Sequence, residues 1–210
     1  MGDANLRLSA EEMQLVTDPG WILTKNSVMG KVVTMFAALS EEWRGLTLPE
    51  SLALPESLAP EGVERAAPGS GGMEPKISKG ENYKGLPWVM LDYPRVFGKE
   101  DVLAIRTMFW WGHSFNMTLH LKGKYMRLFV PVILRRRGDL AAAGFRVGIA
   151  EDEWQHEHSA ETYGEWDLAG DIGERPFCKL SARCGLEQWN EAPELLTDLF
   201  GALLRVLAAR

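Results

Sequence analysis

Residues 80–122, GENYKGLPWVMLDYPRVFGKEDVLAIRTMFWWGHSFNMTLHLK, are the chain's densest run in aromatic residues, and their reading decides the fold. Trp88 to Tyr93 is an apolar, aromatic run bounded by Pro87 and Pro94, which reads as a strand. Phe115 to Leu121 alternates, with Phe115, Met117, Leu119 and Leu121 on one face and Asn116, Thr118 and His120 on the other. Between them Val102, Ile105 and Phe109 recur at helical spacing. The segment therefore predicts strand, turn, short helix and long strand, with Trp110-Trp111-Gly112 carrying two indoles to the mouth of the last strand.

Working outward, Ser9 and Glu12 form a capping box for a short helix that Asp18-Pro19-Gly20 interrupts. A longer helix is expected from about Thr24 to Trp43, with Val28, Val32, Met35, Phe36, Leu39 and Trp43 on its apolar face and Gly30 permitting a close helix contact. Residues 46–80 change character: LTLPES and LALPES repeat at 46–51 and 52–57, and a Pro/Gly-rich tract follows. That stretch predicts a linker or insertion within a single domain spanning 1–210, since five prolines forbid a continuous helix or central strand. Tyr125 to Leu134 suits helix or strand, with Pro131 weakening both, and Arg135, Arg136 and Arg137 suit a solvated helix end. Asp139 caps a brief helix over 140–143, and Phe145, Val147 and Ile149 alternate as another strand. Asn190 opens a terminal helix with a leucine-rich stripe.

In PFCKLSARCG, Cys178 and Cys184 share the inward face of a strand. Six strand residues hold their Cα atoms roughly 20 Å apart, so they do not pair with each other. These elements predict an α+β domain: an antiparallel or mixed sheet of four to six strands with helices packed mainly on one face. Polar Asn116, Thr118 and His120 argue against a parallel sheet buried on both sides.

Composition limits function. The 29 acidic and 23 basic residues give a net charge of −6, which opposes attraction to nucleic acid or an anionic lipid surface. The opening MGDANLRLSAEEMQ is charged where a signal peptide would be apolar, and no run of about eighteen apolar residues occurs, so no membrane span is expected and the expected compartment is the cytosol. No nucleophile elbow, phosphate loop or dinucleotide fingerprint is present.

The motifs KGENYKGLPWVMLDYPRVF, FWWGHSFNMTLHLKGKY and EDEWQHEH resemble a family of bacterial proteins of unknown function. The resemblance covers roughly Lys76 to Trp189. It implies one soluble domain and brings no activity, cofactor or catalytic residue with it.

Candidate site residues follow from the chemistry of the letters. Asp92 ends an apolar strand, Arg95 follows the Pro94 corner and Arg106 lies beside an apolar stripe. Such charges form either a structural ion pair or, with Trp110, Trp111 and His113 as walls, a ligand site; Trp154 and Trp166 either complete that wall or simply fill core. His156 and His158 share a face if extended, and Glu153, Glu157, His113 or His120 are possible further metal ligands, although a tetrahedral site needs three that converge. Two functions fit. One is a noncatalytic binding or interaction domain with a Trp-rich groove for a small ligand or protein partner. The other is a small hydrolase or transferase using an Asp/His acid–base pair, with or without a metal, with Asp92, His113 or His156 as candidates. Convergence of Asp92, Arg106, His113 and His156 on one concavity would favour the second. No cofactor or oligomeric state follows from the sequence.

Overall fold

The alternation in residues 115–121 belongs to the centre of a sheet rather than its edge, and both of its faces are covered. The computed structural model describes residues 6–46, 74–169 and 172–209. In chain order these form α1 (Ala10–Thr17), α2 (Pro19–Gly45), β1 (Lys76–Tyr83), β2 (Leu86–Phe97), β3 (Val102–Trp110), β4 (Ser114–Lys122), α3 (Lys124–Arg135), α4 (Arg137–Ala142), β5 (Arg146–Gly148), β6 (Tyr163–Gly164), β7 (Phe177–Gly185) and α5 (Ala192–Ala208).

The strands make one seven-stranded sheet in the order β1-β2-β3-β4-β7-β5-β6, with every pairing antiparallel. The α+β class stands; the sheet is wider than the four to six strands expected. Three strands, β1, β3 and the two-residue β6, are additional to those read from the sequence. The stretch read as a short helix is β3, where Val102, Ile105 and Phe109 lie in a nine-residue strand. Residues 76–80, assigned by composition to the Pro/Gly-rich insertion, are the start of β1; residues 47–73 of that insertion lie outside the described residues. β2 continues through Pro94 by means of a register shift between Asp92 and Arg95, a bulge that needs no ladder donor from the proline.

Helices cover one face. α1 has both bonds of the Ser9–Glu12 capping box, and Asp18 caps α2 by accepting the Gly20 N–H at 2.8 Å. The buried stripe of α2 is Met29, Val32, Phe36, Leu39 and Trp43. A Cβ at Gly30 would meet nothing within 4 Å, so the close contact expected there is absent. α2 lies over β1 and β2, α3 lies against β4 and β7, and α5 sits between the two helices. α3 accommodates an exposed Pro131 and buries Tyr125, Met126, Phe129, Val130 and Ile133. Trp43 stacks on Phe200 at 4.4 Å and donates to Thr197 Oγ1 at 3.1 Å, locking α2 to α5.

Beneath the helices the sheet presents Val89, Leu91, Leu103, Ile105, Phe109, Phe115, Met117, Leu119, Leu121, Leu180 and Ala182, all buried. Cys178 and Cys184 join this face opposite Leu121 and Phe115 and are both free thiols. Burial pushes the Cys178 thiol up to about 12 and raises Cys184, as expected of inert core cysteines. Among the described residues no helix is long and apolar enough to cross a membrane.

Candidate functional site

The other parity of the same strands is polar and also buried. The register places Asp92 beside Arg106, Arg106 beside Thr118 and Thr118 beside Ser181, making a polar row across β2, β3, β4 and β7. The next row sets Ala104 beside His120 and His120 beside Lys179. Asp92, Asn116, Thr118, His120, Lys179 and Ser181 are each 5% exposed or less. Residues 149–162 are what bury them, an irregular strap that leaves β5 and returns to β6 across this face.

An irregular strap satisfies only part of its own backbone, through turns such as the Gln155 N–H on the Asp152 carbonyl, and side chains of the sheet supply further partners. Lys179 Nζ donates to the carbonyls of Glu153, at 3.1 Å, and Gln155. Asn116 Nδ2 donates to the His156 carbonyl at 3.2 Å, and the His156 N–H donates to the Tyr83 hydroxyl at 2.8 Å. Within the strap Asp152 accepts the Trp154 N–H at 2.8 Å, and Thr162 Oγ1 donates to the Glu157 carbonyl at 2.7 Å.

The charges close on one another. Arg106 Nε donates to Asp92 Oδ1 at 2.7 Å, and the two side chains are only 13% and 7% exposed. Arg106 Nη1 also lies 3.4 Å from His156 Nε2; since guanidinium only donates, Nε2 is the acceptor and the ring proton belongs on Nδ1. His120 Nε2 meets Glu153 Oε2 at 3.1 Å, and Glu153 also binds Lys122 at 2.8 Å. Glu157 pairs with Tyr83 and Lys84. His158 Nδ1 bonds Ser181 Oγ at 3.0 Å and its ring stacks on Tyr163.

Burial sets the protonation of this layer. Desolvation, helped by Arg106 and Lys179, brings His156 down to about 3. Desolvation and Lys179 bring His120 down to about 4, against the upward pull of Glu153. Desolvation with Arg183 and Arg146 nearby brings His158 to about 4. Lys179 falls to about 8, through desolvation and then Arg106. The three imidazoles are therefore neutral at pH 7. Lys179, Tyr163, Gln155 and Phe177 also line a hollow with room for about one water molecule.

The expected site residues divide. Asp92, Arg106 and His156 come together. Arg95 does not join them; its Nε donates to the Glu74 carbonyl at 3.0 Å. Trp110 and Trp111 point to opposite faces, Trp110 stacking on exposed His113 at 3.6 Å and donating to the Tyr83 carbonyl, and Trp111 meeting Phe109 edge-on beside the core. Trp166 donates to the Phe145 carbonyl and packs against the core. His156 and His158 take different partners, and among the described residues no group of three His, Cys, Asp or Glu is placed to hold a metal ion.

Phe97, not singled out from the sequence, belongs to this site. It is 40% exposed, Arg106 sits 5.1 Å over its ring, and its centroid is 6.3 Å from that of Trp154, itself 49% exposed. Trp154 in turn stands edge-on to His120 at 5.7 Å. An exposed aromatic pair with a cation over one ring thus forms the rim where strap and sheet meet. The only sequence signal was the position of Phe97 two residues past Arg95, beyond the Pro94 expected to bound the Trp88–Tyr93 strand. Comparison of the chain with protein-family models, curated proteins and solved structures gives no match, so the geometry alone carries the functional reading.

Proposed function

We propose that this chain is a noncatalytic binding domain whose contact surface is the rim formed by Phe97, Trp154 and Arg106, and that it receives a small ligand or a side chain of a protein partner. The supporting observation is the exposure of Phe97 and Trp154 beside a row of buried, mutually bonded polar groups, with Arg106 over the Phe97 ring. Two accessible rings give flat apolar contact area at low entropic cost, and Arg106, held by Asp92, adds direction. In this reading Phe97 and Trp154 take the role expected of Trp110 and Trp111, whose indoles part to opposite faces.

A hydrolase or transferase is the second reading, favoured by the meeting of Asp92, Arg106 and His156. Against it, a His156 brought down to about 3 is a weak base at neutral pH, and its Nε2 is already engaged.

The test uses Phe97→Ala and Trp154→Ala. Both residues are part-exposed, so each variant stays folded with a loss of about 1–2 kcal/mol for the ring contacts removed. A metabolite that raises the wild-type melting midpoint in a thermal-shift screen loses that effect in both variants. A ligand effect that survives both substitutions contradicts the rim, and turnover abolished by His156→Gln supports the second reading.

A further inference from the structure

The described residues from 6 to 24 are exposed without exception, and α1 buries none of its side chains. They form an arm of two consecutive helices ahead of the part of α2 that packs on the sheet. The arm is not polar. Leu6 is 90% exposed, Val16 68% and Leu23 63%, and Met13, Trp21 and Ile22 stand at 45–50%. Capping at Ser9 and Asp18 sets the helices locally, so the arm presents its apolar residues already ordered.

A second surface complements it. On α3 the residues Arg127, Pro131, Leu134 and Arg135 recur at i, i+4, i+7 and i+8, lie on one helix face and are all exposed. Arg137 extends the patch; Arg136 is paired with Asp139. In a chain of net charge −6, this face is a local concentration of cation with Leu134 at its centre. The arm carries Glu11, Glu12 and Asp18 against Arg7, so it repels anionic lipid or nucleic acid and attracts a basic protein surface. Within one chain α5 lies between α2 and α3, which keeps the two surfaces apart.

We infer that the arm of one copy docks on the Arg127–Arg137 face of a second copy, and that the second copy returns the contact. Such a reciprocal exchange closes as a two-fold dimer. This surface is separate from the Phe97–Trp154 rim, and neither reading depends on the other.

The experiment is sedimentation equilibrium of the full chain and two charge-reversed variants. One carries Glu11→Arg and Gln14→Arg; the other carries Arg135→Glu and Arg137→Glu. All four positions are exposed, and Glu11 and Gln14 take no part in the caps, so circular dichroism of both variants matches wild type. The wild type is a dimer. Each variant alone associates about tenfold or more weakly, because both of its contacts now oppose like charges. An equimolar mixture recovers near wild-type association, because each arm then meets a face of opposite charge. Phe97→Ala leaves association unchanged. A wild type that stays monomeric at about 100 μM overturns the inference, as do variants that associate like wild type. A mixture no tighter than its components also overturns it.

Discussion

Leu119 and His120 are neighbours on β4, both with no exposed surface, and they face opposite sides of the sheet. Around Leu119 the covering is helical, and an α-helix satisfies its own backbone, so the sheet needs to offer only apolar area. Around His120 the covering is an irregular strap, whose carbonyls and amides need partners. The sheet there supplies Lys179, Asn116 and the Tyr83 hydroxyl as those partners. Burial is equal on the two faces; what differs is who meets the hydrogen-bonding demand of the layer above.

That contrast is open to attack from both sides. On the helix face, Leu119→Ala removes a fully buried side chain and leaves a cavity, with an expected loss of about 2–5 kcal/mol in urea denaturation. On the strap face, Arg106→Met leaves Asp92 buried without its cation and costs about 2–4 kcal/mol, above the ~1 kcal/mol or less of an exposed pair. A fully stable Arg106→Met would make the pair a binding device rather than a support.

A dependence on pH also separates the faces. His120, His156 and His158 are held at about 3–4 when folded, against 6.5 when unfolded. The unfolded chain therefore takes up protons that the folded chain refuses. Their contribution to stability is complete above pH 6.5 and is lost as the pH falls toward the folded values, each group adding a slope of up to about 1.4 kcal/mol per unit. Between pH 6.5 and 4.5 most carboxylates stay ionised, so urea midpoints should fall on acidification, and His158→Asn should flatten that fall. A midpoint independent of pH in this range would mean the imidazoles are not buried as described.

Legibility in the sequence followed the same division. Alternation revealed β4 and β7, whose two faces differ in polarity although both are largely buried; caps revealed α1 and α2, and the apolar stripes of α2 and α5 revealed the faces they bury. β3 misled because both of its faces carry apolar residues: Val102, Ala104 and Met108 are buried as fully as Leu103 and Ile105, so alternation was lost and a chance helical spacing remained. β1, KISKGENY, is an edge strand with charges and a glycine, a composition that resembles the preceding loop. Of the site, the pairing of Arg106 with an acid was legible from the cost of burying charge, although its element was misread. The strap's role was not, because an irregular segment has no period and its partners are fixed only by the fold.

Hydrogen exchange tests the central claim, that sheet side chains hold the strap. Lys179→Met removes the ammonium that binds the Glu153 and Gln155 carbonyls while keeping the length of the side chain. The expected result is faster exchange of strap amides, above all His156, whose N–H donates to the Tyr83 hydroxyl, with amides of β3, β4 and α5 retaining their protection relative to the strap. Strap amides unchanged by Lys179→Met, or protection lost equally on both faces, would contradict it.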